Sequence, residues 1–539
     1  MDSLDAFDGD EDAALSYAIA LSLQDTGNAS SEKPIELSSD GDVDDLDKGP
    51  KYPQVTKELK DPHAEEPPKL APSNDTPVNS QQPASTAPSG FATLGLDRKK
   101  MEEERLARLG KRKAPDSEPE VRGRQQRPKF GTEAPVNLAT NGTFQDLPYP
   151  KGIMKKTWAA GFPRENDIKI EEVLQKDELE LAVISSFQWD ELWMLSKIDC
   201  TRTKIVCVAF ASSEAQQEEI KANVPSRAAI RFCFPPMMST GNMHSKLQLL
   251  KYPKYLRIVV PSGNFVPYDW GETGVIENIV FLIDLPRIDD PKLRSSNKLG
   301  PFGEELCYFL QAQGLEKSLV DSLTNYDFSE ANRYRFVHTI ASSHVGDKWQ
   351  RTGYCGLGRA VTSLGLNTTE DIEVDFAISS LGSVNMDLVS AIYFAAQGDN
   401  GMKEYEMRTT KGGKNKASTK GKLDIGNRFR IYFPSRNTVM QSRGGRNAAG
   451  TLCVQTKWWD SKTFPRELVH DCESVRPGLL SHGKLMMVYH SHSGKSQAAY
   501  AYVGSANLSE SAWGRLAKER ASGNPKLTCR NWECGVISE

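Results

Sequence analysis

Cysteine is sparse and unpatterned in this 539-residue chain: nine residues, an odd number, with no Cys-x-x-Cys pair. That usage argues against a disulfide framework or a zinc site and points to a reduced intracellular compartment. The N-terminus lacks a basic-then-apolar leader, and no apolar run approaches membrane-spanning length, so a soluble protein without a membrane partner is expected. Neither sign of charge dominates, with 67 Lys and Arg against 71 Asp and Glu. The balance is uneven along the chain, however. Residues 1–48 hold 14 acids and 2 lysines, a local net of -12 against -4 for the whole, which leaves +8 on the rest. A basic body behind an acidic tail suits a nucleic-acid binder, although solubility alone also accounts for such charges.

Histidine is scarce as well. Of eight in the chain, two are followed by x-Lys: His244-Ser-Lys246 and His482-Gly-Lys484. Each opens a strand-like run, Leu247 to Val260 and Leu485 to Tyr502, and each run ends in a turn bearing Asn264 or Asn507. The Asn follows its His by 20 and 25 residues. One His-x-Lys carries no information, but a pair tied to the same strand-and-turn context reads as two halves of one site. One imidazole, one ammonium and one amide from each half suit an anionic group such as a phosphodiester. In-line displacement at phosphorus places attacking and leaving atoms on opposite sides, which explains why two half-sites face each other. The nucleophile should be a neutral imidazole and the acid an imidazolium, and modest shifts from a pKa near 6.5 can separate the two.

The flanks carry a resemblance. Gly504-Ser-Ala-Asn507-Leu-Ser-Glu-Ser-Ala-Trp513-Gly with His482-Gly-Lys484, Pro261-Ser-Gly-Asn264 before Asp269-Trp270, and Ser379-Ser-Leu-Gly-Ser383 resemble the tyrosyl-DNA phosphodiesterase branch of the phospholipase D superfamily. The resemblance runs from about Phe144 to the last residue. Lipid and nuclease branches carry Asp seven residues after each His, where this chain has Lys251 and Tyr489.

The resemblance implies an α/β fold of two similar α-β-α sandwich domains sharing a pseudo-twofold active site, with no metal and no cofactor. It implies that His244 attacks to form a phosphohistidine, while His482 protonates the departing tyrosine oxygen and then activates water. Lys246, Lys484, Asn264 and Asn507 would stabilise the equatorial oxygens. It places a carboxylate behind the second histidine, matched here by Glu533. Behind the first histidine, where relatives have Gln, Glu277 is the substitute; a surface salt bridge is the alternative for both acids. It gives Ser379, Ser380 and Ser383 the task of gripping DNA backbone, with a strand-to-helix cap as the other reading. Phe187 aligns with an aromatic that stacks on a base, core packing being the alternative.

Around this body the chain divides into four stretches. Residues 1–25 are expected to form a helix with an acidic lead, in which Leu15, Ile19 and Ser22 would share a face beside Ala18, similar to a ubiquitin-interacting motif. Residues 26–143 are rich in Pro, Ser, Asp and Lys, poor in aromatics, and read as a disordered linker. They include the basic cluster Lys111-Arg112-Lys113, a nuclear import signal in appearance. Domains are expected over 144–350 and 351–539. The second is expected to be shortened, since the family continues well past its Glu-x-Gly-Val segment. Strands are predicted at Thr203 to Ala211, Ala228 to Phe234, Glu277 to Ile283, Glu373 to Ser379 and Arg430 to Phe433, with helices over Leu299 to Gly314 and Ser318 to Thr324. Lys411 to Lys422, rich in Gly, Lys, Ser and Thr, is expected to be a basic loop. Together these features predict a monomeric nuclear DNA-repair phosphodiesterase acting on single-stranded or duplex 3′ ends that carry a tyrosyl peptide, with ubiquitin as a further partner. Another nuclease or phosphodiesterase of the superfamily, or a non-catalytic DNA- and ubiquitin-binding scaffold, are the competing readings.

Overall fold

A computed structural model describes residues 147–539 apart from 223, 225–228, 410–424 and 491–497. The ubiquitin-motif helix, the linker with its basic cluster, and the basic loop all lie outside the described residues.

Two mixed sheets dominate. The first has eight strands in the order Asp167–Ile168, Ile153–Thr157, Ile279–Pro286, Tyr255–Pro261, Gln248–Lys251, Leu181–Ser185, Lys204–Val208, Ile230–Cys233. The second has seven: Tyr334–Thr339, Glu533–Ser538, Tyr500–Gly504, Leu485–His490, Ile372–Ala377, Phe429–Tyr432, Val469–His470. Leaving aside the short Asp167–Ile168 edge, the two orders superpose strand for strand. In each, four antiparallel pairings are followed by two parallel ones. The expected duplication is therefore present as one topology used twice. The second sheet takes its first strand from Tyr334–Thr339, ahead of residue 351.

Side-chain alternation along the strands sorts the apolar residues into three layers. Tyr255 and Val259 face an outer core closed by the helices Ile170–Leu174 and Glu191–Lys197. Leu256, Ile258 and Val260 face inward, into a core that also holds Phe302, Leu306 and Phe309 of helix Gly300–Ala312, Phe336 and Val536 of the second sheet, and Trp532 just before its strand Glu533–Ser538. Met486, Val488, Val374 and Phe376 face a third core under helices Gly353–Ser363 and Met386–Ala396. The middle core belongs to both halves, so burial itself presses the two sheets together. Tyr255–Pro261 is buried along its whole length, and its one charge, Arg257, forks onto Asp284 at 2.7 and 2.9 Å.

Two predicted runs differ in detail. Leu247 to Val260 is a hairpin rather than one strand: Gln248–Lys251 and Tyr255–Pro261 pair antiparallel, turning where Tyr252 N–H donates to Tyr255 O. Leu485–His490 and Tyr500–Gly504 pair in the same way. Each hairpin folds the chain back, so that the Asn following the second strand returns beside the His preceding the first.

Candidate active site

Each histidine is set in place by backbone from the opposite half. Met243 and Trp532 form a parallel bridge, and His244 N–H donates to Trp532 O at 3.1 Å. Leu480–Ser481 pairs with Ile276–Glu277, and His482 N–H donates to Glu277 O at 2.9 Å. The rings are held across the same seam. His244 Nδ1 lies 2.9 Å from Glu533 Oε2, and His482 Nδ1 lies 3.0 Å from Asp269 Oδ1, the latter contact bent away from a straight hydrogen bond. A carboxylate on Nδ1 fixes the tautomer and leaves Nε2 as the reactive nitrogen.

This corrects two expectations. Glu533 stands behind the first histidine rather than the second, because its strand sits beside the His244 approach. Glu277 stands behind neither ring: its carboxylate accepts from Arg476 Nε at 2.7 Å and from Ser474 Oγ at 2.5 Å. The physical reason is strand parity, since a shift of one residue turns a side chain to the other face. The register pairs Gly504 with Gly535 and Pro261 with Val280, which makes Asn278, not Glu277, the counterpart of Glu533. The details match: Ser505 donates to Glu533 and accepts from Cys534 N–H, as Ser262 donates to Asn278 and accepts from Ile279 N–H. Asn278 Nδ2 in turn holds Asp269 through its Oδ1 and its carbonyl. Asp269 reaches His482 from a tight turn in which Gly271 has φ +79°, and a Cβ there would collide with the Trp158 carbonyl.

The remaining groups repeat with the same symmetry. Lys246 Nζ and Lys484 Nζ each donate to the carbonyl of their own histidine at 2.8 Å, and Lys484 also reaches Ser262 O in the other half. The Asn264 side-chain oxygen accepts from Gln188 N–H, while that of Asn507 accepts from Ser379 N–H, Ser379 Oγ and Ser380 N–H. With the oxygen of each amide engaged, its NH₂ is the end left for a ligand. The sequence suggested that Ser379 and Ser380 leave their amides open to a phosphate; instead those donors are spent on orienting Asn507. Ser380–Leu381 pairs with Cys453–Val454, Ser383 is half-buried, and the cap of helix Met386–Ala396 is Asn385. Phe187, the positional counterpart of Ser379, lies outside the cores with its ring 5.2 Å from that of His244.

Burial sets the electrostatics. Both imidazoles are pushed down to about 4, first by desolvation and then by the neighbouring ammoniums, against the opposing pull of their carboxylates. Lys484 lies well below its ordinary range through burial and then the like charge of Lys246. For Asp269 and Glu533, burial raises the pKa, but the imidazole contacts and the ammoniums outweigh it and hold both below the usual carboxylate range. The free protein at neutral pH thus has two neutral imidazoles, not the opposite states predicted. Symmetric surroundings produce symmetric shifts. Among the described residues no group of three or more His, Cys, Asp or Glu is placed to hold a metal ion, and no helix is long and apolar enough to cross a membrane.

Asp269, Asn278, Ser505 and Gln188 were not assigned roles from sequence. The signal for two of the halves' shared parts was the parallel Ser262-Gly-Asn264 and Ser505-Ala-Asn507.

Comparison with known proteins agrees with this geometry. The family model described as tyrosyl-DNA phosphodiesterase matches residues 153–539. Tyrosyl-DNA phosphodiesterase 1 of Arabidopsis thaliana is 24% identical over 387 residues, covering 69% of this chain and 58% of that protein. The chain thus spans less than two thirds of that relative's length. The crystal structure of yeast tyrosyl-DNA phosphodiesterase shares the fold with a TM-score of 0.52 at 16% identity, covering 72% of this chain and 90% of the yeast one. A mutant form of the yeast protein gives 0.53 at 17%, with 72% and 88% covered. On the match over residues 153–539, this chain belongs to the tyrosyl-DNA phosphodiesterase family.

Proposed function

We propose that the protein hydrolyses the phosphodiester joining a tyrosyl peptide to a DNA 3′ end, as left by stalled topoisomerases. The observation that carries this reading is the crossed pair of carboxylate-backed imidazoles with two buried lysines beside them. His244 Nε2, neutral and backed by Glu533, attacks phosphorus; an N–P bond forms as the bond to the tyrosine oxygen breaks. That oxygen takes its proton from His482. A bound phosphodiester anion raises the proton affinity of both rings, and Asp269 stabilises the imidazolium on His482. Neutral again after the transfer, His482 takes a proton from water as the oxygen attacks phosphorus and the N–P bond breaks. The products are a DNA 3′-phosphate, the free tyrosyl peptide and restored enzyme. Lys246, Lys484 and the amides of Asn264 and Asn507 stabilise the equatorial charge, the task a metal performs elsewhere.

The competing superfamily reading is disfavoured by position. Lys251 pairs with Glu180 at 2.7 Å on the surface, and Tyr489 lies on a strand of the second sheet, so neither site contains the Asp those branches use. Cleavage of a 3′-phosphotyrosyl oligonucleotide to the 3′-phosphate, undiminished in excess EDTA, is the expected outcome. An intact oligonucleotide overturns the reading, and loss of activity in EDTA overturns its metal independence. His482→Asn should accumulate a covalent protein–DNA adduct and His244→Asn should not; the reverse exchanges the roles.

The wider setting is proposed on sequence alone. Leu15, Ala18, Ile19 and Ser22 suit the apolar patch of ubiquitin, tested by titrating a 1–30 peptide with Ala18→Gly as control. Lys111-Arg112-Lys113 suits nuclear import, tested by localising a Lys111→Ala/Arg112→Ala/Lys113→Ala variant. A monomer is expected by light scattering.

A further inference from the structure

The two histidines are alike in ring, carboxylate and lysine, yet the carbonyls that accept their backbone N–H groups are secured by different means. Trp532, which serves His244, is anchored by packing: its indole is buried against Phe309 and donates to Pro236 O at 2.9 Å. Glu277, which serves His482, occupies the equivalent register position but is only partly buried. It is anchored by charge instead. Arg476, from the segment that leads into His482, donates Nε to Glu277 at 2.7 Å and Nη2 to Thr157 O at 2.9 Å, and forms a second close ion-pair contact with the same carboxylate. Ser474 from that segment also donates to Glu277.

Two routes lead from this guanidinium to His482. One passes through Glu277 O to the His482 backbone N–H. The other passes through Thr157, whose N–H donates to Asn278 O and whose hydroxyl accepts from Asn278 N–H, and then through the Asn278 amide to Asp269 and the His482 ring. We propose that Arg476 is a positioning residue for His482, clamping the seam between the halves so that backbone and ring are aimed together. The inference rests on the functional reading above only for its kinetic consequence, because the aim of the ring is measurable without substrate.

The test is side-chain ¹⁵N-histidine NMR of the whole protein as wild type, Arg476→Met, Arg476→Lys and Glu277→Gln, with His482→Asn identifying the signals of that ring. The His482 resonances are expected to shift or broaden in Arg476→Met and Glu277→Gln while those of His244 stay fixed. Arg476→Lys should be intermediate, since an ammonium can meet Glu277 but cannot fork onto Thr157. Unchanged His482 signals, or equal changes at His244, overturn the proposal. Removing one partner of a largely buried ion pair can unfold a protein; if Arg476→Met does so, Arg476→Lys and Glu277→Gln decide the matter by the same criteria. In turnover, Arg476→Met should lower kcat about 10-fold or more, with KM nearly unchanged and a longer-lived covalent adduct. Wild-type kcat in that variant counts against the clamp. A wild-type protein that leaves the oligonucleotide intact overturns the functional reading instead, and the NMR still decides on Arg476.

Discussion

Glu533 and Asp269 have the same task toward opposite rings, so their removal should be distinguishable by which chemical step slows. Glu533→Gln weakens the support of His244 and is expected to slow adduct formation about 10- to 100-fold, the usual scale for a lost imidazole–carboxylate partner. Asp269→Asn weakens that of His482 and should slow adduct breakdown as well, so the protein–DNA species persists. Single-turnover gels that resolve substrate, adduct and product check both, and identical profiles for the two variants would contradict the crossed assignment. Legibility at this scale was uneven. His244, Lys246, Asn264, His482, Lys484 and Asn507 stand out because residue type and spacing repeat. The carboxylates do not: Glu277 and Asn278 are adjacent in the chain, and only the strand register shows which of them turns toward the Asp269–His482 pair.

At the scale of elements, the strand that begins at Glu533 and the strand that leads to Asn507 depend on close backbone approach. Gly535 pairs with Gly504, and a Cβ on Gly535 would overlap the ring of Tyr502, which is fully buried and cannot move aside. Gly535→Ala is therefore expected to cost about 1–3 kcal/mol by overpacking, measured as a lower urea midpoint. It should also impair turnover beyond the stability loss, because the displaced strand carries Glu533. A variant as stable and active as wild type would show that the sheet yields at this point. The individual strands and helices were largely legible from apolar runs and β-branched content. The hairpin turn at Tyr252 was not, since Tyr-Pro-Lys lacks the Gly or Asn that usually marks a reversal.

For the whole molecule, closing the two halves on each other strips water from both imidazoles, and that has a consequence for acid stability. Each ring has its pKa pushed from 6.5 in the unfolded chain down to about 4 in the folded protein. Between those values the unfolded chain binds more protons, so stability is complete above about pH 6.5 and falls as pH drops toward 4. At pH 5 the loss is about 2 kcal/mol from each histidine. The depressed pKa values of Asp269 and Glu533 add a further loss at lower pH, as those carboxylates become protonated. Urea unfolding at pH 7.5 and pH 5 should show this decline, and the His244→Asn/His482→Asn variant should flatten it. A slope unaffected by the double substitution would mean that the rings are hydrated in solution.

The amino-acid sequence by itself determined that the site has two halves, which imidazoles, ammoniums and amides populate it, and that each half is a strand-rich α/β unit, because local pattern and residue chemistry are written in the chain. What only the tertiary structure decided was partnership: Glu533 with His244, Asp269 with His482 and Arg476 with Glu277 across the seam, and Ser379 with Asn507 within the second half. Those pairings depend on which strand edges and faces meet when a shared apolar core draws two sheets together. One-residue parity and distant register fix that outcome, and neither is visible in the spacing along the chain.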